Sequence, residues 1–176
     1  LKDMGNRNWL FMGLTIPFHA LNLCQFLITL NDAIARMLVI FFLNDLLGIE
    51  EVNRTLFLTS LAIVVPFLVF SMLGGQLADR YPKGIMIRWL QLVSILGTFL
   101  ILGSMHYNNG VIVYLGLFLM ALQAALFSPA RLAIIPEIVE TSKIPFANSI
   151  LTGSNYIALL IGAFVASFLT ILSDRN

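Results

Sequence analysis

Asp32 and Arg36 are the residues of this sequence best suited to chemistry, because they are opposite charges inside a stretch that is otherwise almost wholly apolar. They stand four residues apart, so on a helix they share a face and can pair. On insertion scales each charge costs about 2.5–3.5 kcal/mol at the centre of a bilayer, and intramembrane charges therefore turn toward a cavity or a partner. Two readings are open at this point. One is a substrate or proton site in the core of a helix bundle; the other is a neutralising pair that only fixes packing. Both turn the pair, with its neighbour Asn31, inward.

The elements that carry such a pair follow from composition. Of 176 residues, 59% are hydrophobic and 11% charged, against about 25% charged in soluble domains. The apolar residues fall in blocks of the length a bilayer demands, about 20 residues to cross roughly 30 Å at 1.5 Å per residue. Five spans are predicted, near residues 16–43, 55–78, 85–105, 111–133 and 146–172. The residues from Trp89 to Ala130 contain no Asp, Glu, Lys or Arg. A single helix of that run would measure about 63 Å, so it must turn back. Tyr107-Asn108-Asn109-Gly110, a cluster of loop formers, marks the turn. The spans are continuously apolar, whereas barrel strands alternate. The expected fold is an all-α, polytopic membrane helix bundle in one domain.

Counting Lys and Arg at alternate ends orients the bundle. Lys2, Arg7, Arg80, Lys83, Arg88, Arg131 and Lys143 collect on one side, and only Arg54 and Arg175 on the other. The N-terminus is expected in the cytoplasm, with Glu50 and Glu51 facing outward. The basic residues form no run, so no nucleic-acid partner is expected. The one cysteine, Cys24, excludes an internal disulfide or a thiolate cluster. His19 and His106 are distant from one another, and no metal or other cofactor is expected. No nucleophile with a base, phosphate-cradling loop or carboxylate pair stands out, so the chain is not expected to be an enzyme.

Gly75-Gln76-Leu77-Ala78-Asp79-Arg80, continued by Tyr81-Pro82-Lys83-Gly84, is the most specific string. Glycine lets backbones approach closely, and a carboxylate at a helix end can bind an arginine or the positive end of another helix. This string resembles the loop between the second and third helices of the major facilitator superfamily, Gly-x-Leu-Ala-Asp-Arg-x-Gly-Arg-Lys. Pro82 and Gly84 depart from the family's later glycine and basic residue. The resemblance implies a cytoplasmic gate at Gly75, Asp79, Arg80 and Lys83.

Phe127-Ser128-Pro129-Ala130-Arg131, Ile135-Pro136-Glu137, Lys143 and Ala147-Asn148 join Gln25-Phe26-Leu27 and Asn31-Asp32 in a second pattern. It is similar to the bacterial lysophospholipid transporter family, including members fused to acyltransferases. Ala33 departs from that family's usual Asn. The resemblance implies substrate binding by Asn31, Asp32, Arg36, Arg131 and Glu137, with Asp32 receiving an ammonium and Arg36 or Arg131 a phosphate. Arg131 equally fits an interfacial anchor, and Pro129 and Pro136 fit a helix end or kink. Ala158, Gly162 and Ala166 form a small-residue stripe for close packing.

The resemblance also implies five of the six helices of an N-terminal half, with the partner C-terminal half lying outside this sequence. The expected activity is lysophospholipid translocation across the bacterial inner membrane, with membrane lipids as surroundings. The alternatives are a proton-coupled facilitator for another small solute or drug, and the membrane part of a lipid acyltransferase fusion.

Overall fold

The computed structural model describes residues 14–48 and 51–173. Lys2, Arg7, Glu50 and Arg175, used above to orient the bundle, lie outside the described residues. Five long helices run in sequence: α1 (Ile16–Leu47), α2 (Val52–Arg80), α3 (Lys83–His106), α4 (Gly110–Ile138) and α5 (Ile144–Ser173), the last preceded by a 3-10 turn at Thr141–Lys143. All five are long and apolar enough to cross a membrane. No strand occurs among the described residues, so this is an all-α polytopic bundle.

Except at the start of α1, which falls at Ile16 as expected, the helices overrun the apolar spans at both ends. At 24–32 residues each they measure about 36–48 Å, enough to pass through the headgroup layers as well as the hydrocarbon. Asp79 and Arg80 accordingly form the last turn of α2, and Arg88 sits within α3, leaving only Tyr81 and Pro82 between the two helices. The connector around Asn108 is equally tight. Asn108 adopts a left-handed φ of 51°, which Asn tolerates better than most residues. Asn109 then caps α4, its Oδ1 accepting from the Val111 and Ile112 amides at 3.0 and 3.4 Å.

Pro129 and Pro136 lie inside α4, and the helix continues through both to Ile138. Neighbouring helices make this possible in membranes, because they help re-satisfy the freed backbone groups. α4 is the most enclosed helix, with almost half of its most apolar stretch buried. It packs along α2 and α3, while α1 packs mainly along α5 and only lightly against α4. Leu68, Met72, Trp89, Phe99, Leu160 and Phe164 project outward, more than 60% exposed. Lipid is the solvent that accommodates such a surface.

Glycines set the closest helix approaches. A Cβ on Gly162 would lie 2.6 Å from the Ala33 Cβ and 3.1 Å from the Leu30 carbonyl oxygen of α1. A Cβ on Gly116 would meet the Gly97 carbonyl oxygen at 2.9 Å, and one on Gly74 the Pro129 ring at 2.8 Å. Ala158 and Ala166, the other members of the small-residue stripe, are fully buried.

Two apolar clusters fill the ends of the bundle. One joins Phe18, Leu21, Leu90, Phe127, Ile135 and Leu151 with their neighbours. The other joins Val39, Leu43, Ile101, Val113 and Leu117 with theirs. At the first end, the Thr15 hydroxyl donates to the Ile138 carbonyl at 2.6 Å, tying the start of α1 to the close of α4.

Gly162→Leu is expected to force α5 from α1 and destabilise the bundle by about 1–3 kcal/mol, the usual range for overpacking. Gly153→Leu serves as the control, since nothing lies within 4 Å of a Cβ there. Thermal melting in detergent, read by size exclusion, is expected to fall for the first variant and hold for the second.

Candidate functional site

Asp32 stands at the midpoint of α1, between the two apolar clusters. Polar side chains from four helices share that middle layer. Gln25 and Thr29 precede Asp32 on α1, Ser94 and Thr98 come from α3, Gln123 from α4 and Asn155 from α5. Some satisfy one another. Thr29 donates to Asn155 Oδ1 at 3.0 Å. Asn31 Nδ2 donates to Thr98 Oγ1 at 2.8 Å, and Thr98 in turn donates to the Ser94 carbonyl at 3.0 Å.

Other polar atoms of the layer are left unpaired. Oδ1 of Asp32, both carboxamide atoms of Gln25 and of Gln123, and Nε of Arg131 are buried without a hydrogen bond. Gln25 is 3% exposed and Gln123 0%. Leaving a buried polar group unpaired costs about 1–3 kcal/mol, so this concentration marks either a defect or a place that a ligand or water completes.

Two cavities meet at Asp32 and Ala124. The smaller, about 60 Å³, is lined by Asp32, Arg36, Ile63, Leu117, Met120, Ala121 and Ala124. The larger, about 200 Å³, lies toward the Arg131 end and also takes in Gln25, Thr29, Gln123, Ser128 and Asn155. Arg36 lies four residues beyond Asp32 on α1, and Arg131 seven beyond Ala124 on α4, which runs the opposite way. The backbone positions of the two arginines are thereby spread along the bundle axis by roughly 16 Å of helix rise, on either side of Asp32.

Asp32 and Arg36 share a helix face, as their spacing allows, but form no salt bridge. Arg36 Nε instead donates to the backbone carbonyl of Asp32 at 3.1 Å, so the guanidinium shares the cavity with the carboxylate without closing on it. Asn31 points to α3 and lines neither cavity. Glu137 lies elsewhere, paired with Lys83 across the α3 start and the α4 end. Grouped by position, Glu137 belongs with the expected gate residues. Asp79 and Arg80 are exposed at the end of α2 and Gly75 is half-buried one turn earlier. Cys24 accepts a hydrogen bond from the Gln91 amide. Among the described residues, no cluster of three or more His, Cys, Asp or Glu forms that could hold a metal.

Gln25, Gln123 and Asn155 are site residues that charge-based reading passes over. Gln123 does leave a signal: it is a bulky amide in the apolar run from Val111 to Phe127.

The family model described as Major Facilitator Superfamily matches residues 21–174, which contain every residue of this layer. The chain belongs to the Major Facilitator Superfamily. Among curated proteins, this facilitator is similar to the lysophospholipid transporter LplT of Photorhabdus laumondii, 29% identical over 127 residues, or 72% of this chain and 28% of that protein. The LplT of Enterobacter sp. strain 638 is 27% identical over 109 residues, covering 62% of the chain and 26% of the relative. The Escherichia coli LplT is 28% identical over the same length and shares. The match thus spans little more than a quarter of these relatives. No solved structure matches the chain.

Lys83 is 24% and Glu137 56% exposed, so their pair is well solvated and worth under about 1 kcal/mol. Glu137→Ala is expected to shift the melting temperature by no more than a few degrees, measured by thermal denaturation in detergent.

Proposed function

We propose that this chain is most of the N-terminal half of a transporter that moves lysophospholipid across the bacterial inner membrane by alternating access. The observation that carries the reading is the midplane layer: a carboxylate, two arginines and unpaired carboxamides around adjoining cavities, in a chain whose relatives include proteins named for lysophospholipid transport. A zwitterionic headgroup needs both signs of charge in a low-dielectric site. In this reading Asp32 receives the ammonium, and Arg36 or Arg131 the phosphate.

A cavity of about 200 Å³ is smaller than the usual 300–1,000 Å³ of a small-molecule site. It suits a headgroup, with the acyl chain resting on apolar helix surface or lipid and a C-terminal half supplying the opposite wall. Facilitators hold substrate between two such halves and rock around it. Gly75, Asp79, Arg80 and Lys83 serve that motion as a cytoplasmic gate, with Glu137 paired to it through Lys83. The excess of Lys and Arg at one end supports a cytoplasmic N-terminus. The work done is transport and not catalysis.

A second reading, a proton-coupled facilitator for another small solute, is favoured by one observation: Asp32 is a carboxylate inside a membrane span that forms no salt bridge and keeps Oδ1 buried without a hydrogen bond.

Asp32→Asn in the complete transporter is expected to abolish lysophospholipid uptake while expression and melting persist; normal uptake by the folded variant refutes the assignment. Uptake of a panel of polar solutes in place of lysolipid supports the second reading. For orientation, a reporter fused after Tyr81 is expected to register the cytoplasm and one after Asn108 the periplasm, and the reverse pattern overturns the topology.

A further inference from the structure

We infer that Gln25 and Gln123 form a hydroxyl-recognition site that selects lysophospholipid by its free glycerol hydroxyl, an inference that rests on the lysophospholipid reading above. Both side chains are almost wholly buried, line one cavity from α1 and α4, and leave all four carboxamide atoms without partners. A carboxamide presents an acceptor oxygen and a two-proton donor nitrogen. A phosphate supplies acceptors alone and leaves the two amide oxygens unpaired. A hydroxyl is both donor and acceptor, so it answers one oxygen and one nitrogen together.

Arg131 lines the same cavity with an unpaired Nε. In a lysophospholipid acylated at the terminal glycerol carbon the phosphate and the free hydroxyl are carried on adjacent carbons, so an anion site beside a hydroxyl site reproduces that ligand's own arrangement. A second acyl chain esterified at that hydroxyl removes the donor and brings bulk into a cavity of about 200 Å³. The carboxamides therefore discriminate against diacyl lipid both by hydrogen bonding and by size. Thr29, Ser128 and Asn155 add to the polar lining, and Phe127 and Ile28 supply its bulky apolar side chains; a site built to hydrogen-bond a hydroxyl rejects a ligand that lacks one.

The test is competition for labelled lysophosphatidylethanolamine uptake by the complete transporter in proteoliposomes. The competitors are unlabelled lysolipid and its deoxy analogue, which lacks only the glycerol hydroxyl. The wild type is expected to bind the analogue about tenfold or more weakly. Gln25→Leu and Gln123→Leu are each expected to reduce that ratio toward one, while Gln123→Asn keeps part of it. Equal affinity for analogue and lysolipid in the wild type overturns the inference without needing any variant. So does a wild-type ratio that survives both leucine substitutions in folded protein. Absence of lysolipid uptake by the wild type instead removes the underlying reading, and this assignment with it.

Discussion

Hydrocarbon offers no hydrogen-bond partner, and the whole arrangement of this bundle answers to that constraint. Backbone groups are satisfied within helices, which makes five long helices the outcome of five long apolar blocks. A polar layer that includes Asp32, Gln25 and Gln123 lies between two apolar clusters, Phe18 to Leu151 on one side and Val39 to Leu117 on the other. Asp32 sits in that layer because at the midpoint of α1 it is as far from either headgroup region as the helix allows. The interior, not the interface, has to solvate it.

Space for that solvation comes from how the helices divide. α5 closes on α1 through Gly162, and α2 and α3 close on α4 through Gly74, Gly97 and Gly116. Tight packing within each set leaves α1 and α4 only lightly in touch. Opposite Asp32, α4 presents the short side chains of Ala121 and Ala124. The two cavities are thus a product of the same small residues that bring the other helix pairs together.

The architecture was largely legible in the sequence, because helix number follows from apolar length, and the Tyr107–Gly110 loop formers divide the one run too long to be a single span. Helix ends were less legible: hydropathy senses hydrocarbon, whereas helices continue through the headgroups, as α2 does to Arg80. The side-chain pattern of Asp32 and Arg36 gave their shared face but not their bond, since the Arg36 side chain also reaches the Asp32 carbonyl one turn back. Helical spacing cannot choose between a carboxylate and a backbone oxygen on the same turn. Gln123 was passed over, and Gln25 entered only as part of a family pattern, for another reason. They line one cavity from α1 and α4 across 98 residues of chain, and neutral amides raise no alarm in a scan for charge. Pro129 and Pro136 fit a helix end or a kink by sequence, and α4 does not end at either, since a packed membrane helix accommodates proline.

Ala124 lines both cavities, so its accessibility reports most directly on whether a polar, substrate-filled interior exists. Ala124→Cys, placed in the complete transporter in a background without other reactive cysteines, is to be labelled with a small polar thiol reagent with and without lysophosphatidylethanolamine. The account predicts ready labelling that saturating lysolipid slows severalfold. A cysteine there that resists the polar reagent, or reacts at the same rate with lysolipid bound, contradicts it.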